Sequence, residues 1–166
     1  MKRIRIAPTS PSVCTQTYMN GAEPRKLMFR ILDHYTADVG VDIEADAPGG
    51  LFAEACRALA QITMDPDSVV PAQSRTLCIE KRPFDLLLFE FLEELIYLRD
   101  AEQFLSIDAD CEVMQDPSDT TLWSLHAEVR GEPIDHKRHK LKVEIKAVTF
   151  HDFHAEPTRA RVVFDI

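Results

Sequence analysis

Between Pro83 and Leu98 the chain reads as a helix that is apolar on almost every side. Leu86, Leu87, Leu88, Phe89, Phe91, Leu92, Leu95, Ile96 and Leu98 leave only a narrow stripe for Glu90, Glu93 and Glu94. A helix of that kind is stable only when it is covered on most sides. Pro83 suits its first turn, and Asp85 complements the positive end of the helix dipole. The rest of the chain has to supply that cover, which restricts the fold to layers built around this helix.

Segments of period two supply it. Lys26 to Asp33 reads as a first strand, with Leu27, Phe29 and Ile31 alternating against Met28, Arg30 and Leu32. A second strand, Asp38 to Asp46, puts Val39, Val41, Ile43 and Ala45 on one face and Asp38, Asp42, Glu44 and Asp46 on the other. Pro48-Gly49-Gly50 then reads as a turn. An amphipathic helix of about 12 residues follows, with Leu51, Phe52, Ala55, Ala58, Leu59 and Ile62 at helical spacing, ending at Asp65-Pro66-Asp67. Further strands are expected at Arg75 to Lys81, Gln103 to Gln115, Thr121 to Arg130, Leu141 to Ala155 and Arg159 to Ile166. The predicted class is a single α+β domain, with two main helices on a mixed or antiparallel sheet. Within Leu141 to Ala155 the apolar phase flips between Ala147 and Val148, the signature of a bulge or bend. The flip groups Val148 with Phe150 and puts Thr149 and His151 on the other face.

Charge narrows the function. Residues 1–26 hold five of the Lys and Arg side chains and one Glu, leaving 14 basic and 27 acidic side chains, a net of −13, in residues 27–166. Nucleic-acid affinity comes largely from cationic contacts, so direct RNA binding by this body is not expected. Cations and basic protein surfaces suit it better. Residues 1–26 lack periodicity and read as a disordered leader ahead of a domain at 27–166. No apolar run approaches the ~18 residues of a membrane helix, and no signal peptide is recognisable. A cytoplasmic protein without a membrane anchor is expected. The cysteines form no CxxC pair, and Cys56 and Cys78 read as small core residues.

The residues that carry chemistry are few. Asp38 follows a compact run holding Asp33, His34 and Thr36 at the head of its strand. The last strand places Ala160, Val162, Phe164 and Ile166 on one face and Asp165 on the other. An acid next to the end of a well-patterned strand is unusual, because chain ends fray. For Asp42, Glu44 and Asp46 a solvated strand face is the plain reading. His136 and His139 sit among Lys137, Arg138 and Lys140, which would repel a cation, so solvated or structural roles are expected for them. No glycine-rich phosphate loop and no Gly-x-Ser-x-Gly elbow is present.

Four stretches together resemble the archease family. They are His34 to Gly40, Phe91 to Leu98 (Phe-Leu-Glu-Glu-Leu-Ile-Tyr-Leu), Glu144 to His151 (Glu-Ile-Lys-Ala-Val-Thr-Phe-His) and Val163 to Ile166 (Val-Phe-Asp-Ile). They occur in the family's order and span Phe29 to Ile166. In this chain Tyr35 interrupts the usual His-Thr-Ala-Asp. The resemblance implies a small α+β protein that is not itself an enzyme. Such a protein would activate an RtcB-type tRNA-splicing RNA ligase by promoting its guanylylation and multiple turnover. It also implies a metal site, described as calcium, at the motif aspartate and the two terminal residues, here Asp38, Asp165 and Ile166. His34, Lys146 and His151 are expected to shape that site or contact the ligase. Oxygen ligands suit hard divalent cations in general, so Mg²⁺ and Mn²⁺ stand beside Ca²⁺. The alternative is a small metal-dependent hydrolase or ligand-binding module using Asp38, Asp165 and His151.

Overall fold

The structure, a computed structural model, describes residues 28–32 and 38–166. The expected leader, the outer ends of the first strand and His34 lie outside the described residues. In chain order the elements are β1 (Phe29–Leu32), β2 (Asp38–Glu44), α1 (Pro48–Thr63), a short 3-10 turn (Pro66–Ser68) and β3 (Gln73–Arg82). Then come α2 (Phe84–Glu102), β4 (Phe104–Gln115), β5 (Trp123–Pro133), β6 (Ala147–Glu156) and β7 (Arg159–Asp165). The strands form two sheets, ordered β1-β2-β7-β6 and β3-β5-β4, and every pairing is antiparallel. Among the described residues no helix is long and apolar enough to cross a membrane.

α2 is the covered helix that its sequence demands. It packs against β6 of the first sheet, against all three strands of the second and against α1. Leu87, Leu88, Phe91 and Leu92 are fully buried. Phe91 meets Phe52 of α1 at a centroid distance of 5.3 Å, and Phe52 meets Phe84 edge-on at 5.7 Å. α1 lies mainly on β4 and also touches β1 and β2, so each helix contacts both sheets.

Several expectations shift. Pro48-Gly49-Gly50 is the first turn of α1 rather than a turn before it, with Pro48 in the position where a missing N–H costs nothing. Gly49 is required there because a Cβ would stand 2.2 Å from the Cys111 carbonyl oxygen of β4. Cys78 is exposed rather than buried. The alternation that sends Leu77 and Ile79 inward sends Cys78 outward, where its sulfur lies 3.3 Å from His126 Nδ1. Among the described cysteines Cys56 is the buried one, and burial pushes the half-buried Cys111 thiol up to about 12, with Asp110 and Asp108 adding to the effect.

The strand expected from Leu141 begins only at Ala147. Residues 141–146 are held by other means. Leu141 makes an isolated bridge with Met64, the Lys142 N–H donates to the Thr63 carbonyl, and buried Arg99 donates from Nη2 to the Ile145 carbonyl. At the expected place, between Ala147 and Val148, the pairing is regular, and β6 bulges further on instead. Thr149 faces Val163 and His154 faces Arg161, so four residues, 150–153, stand against Val162 alone. Asp152 takes a left-handed φ of 51° within it, a conformation Asp tolerates better than most residues. The bulge breaks the alternation that would have put Phe150 inward beside Val148, and Phe150 is instead exposed.

Candidate functional site

The ladder between β2 and β7 sets Asp38 directly opposite Asp165, with Ala147 of β6 on the far side of Asp165. Directly opposed residues in an antiparallel pair hold their Cβ atoms about 4.5–5.5 Å apart. Strand alternation explains why both acids share a face. Val39, Val41 and Ile43 on β2, and Ala160, Val162 and Phe164 on β7, point into the core. That leaves Asp38 and Asp165 on the outer face. Both are half-buried.

β7 is flanked on both sides, which keeps the end of the chain from fraying. The Lys146 N–H donates to the Asp165 carbonyl at 2.8 Å, and Lys146 Nζ donates to the main-chain oxygen of Ile166 at 2.9 Å. Asp38, Asp165, Ile166 and Lys146 are thus brought to one end of the first sheet. The two aspartate carboxylates carry two negative charges beside one Lys146 ammonium, and oxygen donors are what a hard cation takes. Among the described residues, however, no three Asp, Glu, His or Cys side chains converge as a ready ligand set. A metal here would therefore rely on two side-chain carboxylates, main-chain or terminal oxygens, and water.

His151 is not drawn to this end. It stands four residues along β6 from Ala147, inside the exposed bulge. His34 lies outside the described residues. Thr149, which the sequence reading left without a part, shares the outer face with Ala147 and sits diagonally from Asp165. Its Oγ1 is buried with no hydrogen-bond partner among the described residues. Its sequence signals were the parity that groups it with Ala147 and its place within the stretch Glu144 to His151.

The other acids have partners or water. Asp42 accepts a forked pair from Arg161, Nε to Oδ1 at 2.7 Å and Nη2 to Oδ2 at 3.0 Å, with Arg30 Nη2 also on Oδ2 at 3.0 Å. The Arg161 hydrogen bond, with help from Arg30, holds its carboxyl below the usual range. A groove of about 670 Å³ borders these residues and Glu44, Asp152 and His154. It lies towards the opposite end of the sheet and includes neither Asp38 nor Asp165. Glu44 and Asp46 are exposed.

His139 has a structural part. Its Nδ1 accepts the Asp135 N–H at 3.0 Å, which leaves the proton on Nε2, 3.1 Å from Glu132 Oε1. Glu132 also takes Arg138 in a forked pair and the Val70 N–H. Arg138 above all, then Val70 and His139, hold the Glu132 carboxyl down at about 2 against the opposing effect of burial.

Comparison with known proteins agrees with this architecture. A sequence model of the archease protein family matches residues 29–166. Protein archease of Methanopyrus kandleri is 31% identical over 129 residues, covering 78% of this chain and 90% of the relative. Protein archease of Thermococcus gammatolerans is 31% identical over 126 residues, covering 75% and 87%. The solution structure of Methanobacterium thermoautotrophicum protein 1598 superposes with a TM-score of 0.69 at 28% identity, over 85% of this chain and 100% of that one. By sequence match over nearly all its described residues and by fold, the chain belongs to the archease family.

Proposed function

We propose that this protein is a non-catalytic activator of an RtcB-type RNA ligase, acting in tRNA splicing. In this reading it binds a divalent cation, Ca²⁺ foremost, with Mg²⁺ and Mn²⁺ as competitors, through Asp38, Asp165 and the carboxylate of Ile166. It presents that site to the ligase and promotes guanylylation and turnover. The observation that carries the reading is the directly opposed pair Asp38 and Asp165 beside a pinned Ile166. Like charges so placed destabilise one another until a cation sits between them. Lys146 serves as a positioning residue, since its ammonium holds Ile166 beside the aspartates.

The acidic body supports a protein partner over an RNA one. His151, exposed on the bulge, belongs to the contact surface rather than the cation site. The experiment incubates the protein with RNA ends and nucleotides, first alone and then with the ligase. Product formed only in the mixture, and more of it than the ligase makes by itself, supports the reading. Conversion of RNA or nucleotide by the protein alone would replace it with the hydrolase.

A further inference from the structure

Phe150 is 66% exposed, although it belongs to a phase that the sequence directs inward. It is not a loose side chain. Its ring stacks flat on Phe89 of α2, with centroids 4.2 Å apart and planes 4° from parallel, and Phe153 closes the group edge-on to both. The β6 bulge, with Asp152 in a left-handed conformation, holds this ring outward.

The adjoining ridge of α2 is uncovered at Leu86 and Tyr97 and half-buried between them. At about 100° per residue, Leu86, Glu90, Glu93 and Tyr97 fall within an arc of about 60°. Leu86 is 37% exposed and Tyr97 52%. Acids outnumber bases along this ridge. Arg82 pairs with Glu90, while Glu93 accepts the Val148 N–H at 2.7 Å and so faces β6. Burial first, then Glu90, Glu102 and Glu93, hold the Glu94 carboxyl above its usual range. The surface is thus a rigid aromatic anchor beside an acidic strip short of cations.

From this pairing we infer that Phe150, buttressed by Phe89 and Phe153 and flanked by Leu86 and Tyr97, is the anchor by which the protein docks on its ligase. It would enter an apolar pocket rimmed by Lys or Arg. The inference rests on the function proposed above. Nucleic acid is a poor occupant, because base stacking works with a cationic groove and this body carries a net of −13. A second copy is a poor one too, since it would bring the ridge of Glu90 and Glu93 against its own likeness. Buried aromatic anchors dominate the energy of interfaces of this kind.

The test measures the affinity of the full chain for the ligase, together with its Ca²⁺ titration, melting temperature and sedimentation. Phe150→Ser is expected to weaken ligase binding about 30-fold, with Ca²⁺ affinity and melting temperature kept. Tyr97→Ser, a second exposed position, is expected to weaken it several-fold, and wild-type affinity is expected to fall as salt is raised. Ligase affinity unchanged in both variants would overturn the docking surface and leave the proposed function standing. A wild-type protein that does not bind the ligase would overturn both. A wild-type dimer that Phe150→Ser dissociates would give this face to a second copy instead.

Discussion

Asp38 and Asp165 carry like charges at directly opposed positions of one ladder, an arrangement that costs folding free energy in the absence of a cation. Asp38→Asn and Asp165→Asn are therefore expected to abolish the Ca²⁺ heat in calorimetry. Without metal, their melting temperatures should equal or exceed the wild type's, and added Ca²⁺ should no longer raise them. Wild-type Ca²⁺ affinity in either variant would remove that aspartate from the site. Glu132 gives a second residue-scale expectation, in acid stability. Its carboxyl lies at about 2 when folded and at roughly 4.3 when unfolded, so its contribution is complete above the unfolded value. That contribution fades as pH falls from about 4.3 towards 2. Glu132→Gln should cost on the order of 1–3 kcal/mol at pH 7, because it weakens hydrogen bonds to Arg138, His139 and Val70. The melting-temperature gap to wild type should close across that pH window, and a gap constant down to pH 2 would be the contrary result. That each aspartate faces outward was legible in the sequence, because strand parity sets a face without long-range knowledge, whereas only the family resemblance brought the two together. The part of Glu132 was not legible, since its partner Val70 lies 62 residues away and no local pattern reports that contact.

Elements were legible to the degree that packing, rather than special contacts, decides them. α2 could be read because an apolar helix surface has only one fate. Leu92→Ala in that helix should cost on the order of 2–5 kcal/mol, measured by denaturant unfolding, since Leu92 is fully buried and its truncation opens a cavity. A loss under 1 kcal/mol would mean that the site collapses freely. The start of β6 could not be read. Residues 141–146 alternate like a strand, yet Arg99, Thr63 and Met64 fix them in place of a ladder. The first turn of α1 was misread because Pro48-Gly49-Gly50 is ordinary turn chemistry. Only the closeness of the Cys111 carbonyl explains the glycine inside a helix. The phase flip between Ala147 and Val148 marks the start of β6, where pairing is regular, and nothing in the alternation reported the bulge past Thr149.

Across the whole molecule, the two ends of the described chain differ in what they touch. Ile166 is bound by Lys146 beside the paired aspartates, whereas Met28 borders the groove towards the far end of the sheet. A C-terminal extension is therefore expected to weaken both Ca²⁺ binding and ligase stimulation. Deleting residues 1–26 should leave stimulation nearly unchanged. Guanylylation assays on the two forms, with melting temperatures alongside, check this, and equal stimulation by both would exclude the terminus from the working site. The strand order β1-β2-β7-β6 also bears on how the protein comes to be folded. β2 waits 127 residues for the partner of Asp38, so closing that ladder is entropically late, while β3, β4 and β5 find each other within a shorter span. During synthesis β2 leaves the ribosome with one edge unsatisfied and keeps it until β7 follows, an interval in which strand addition by other chains competes with the native partner.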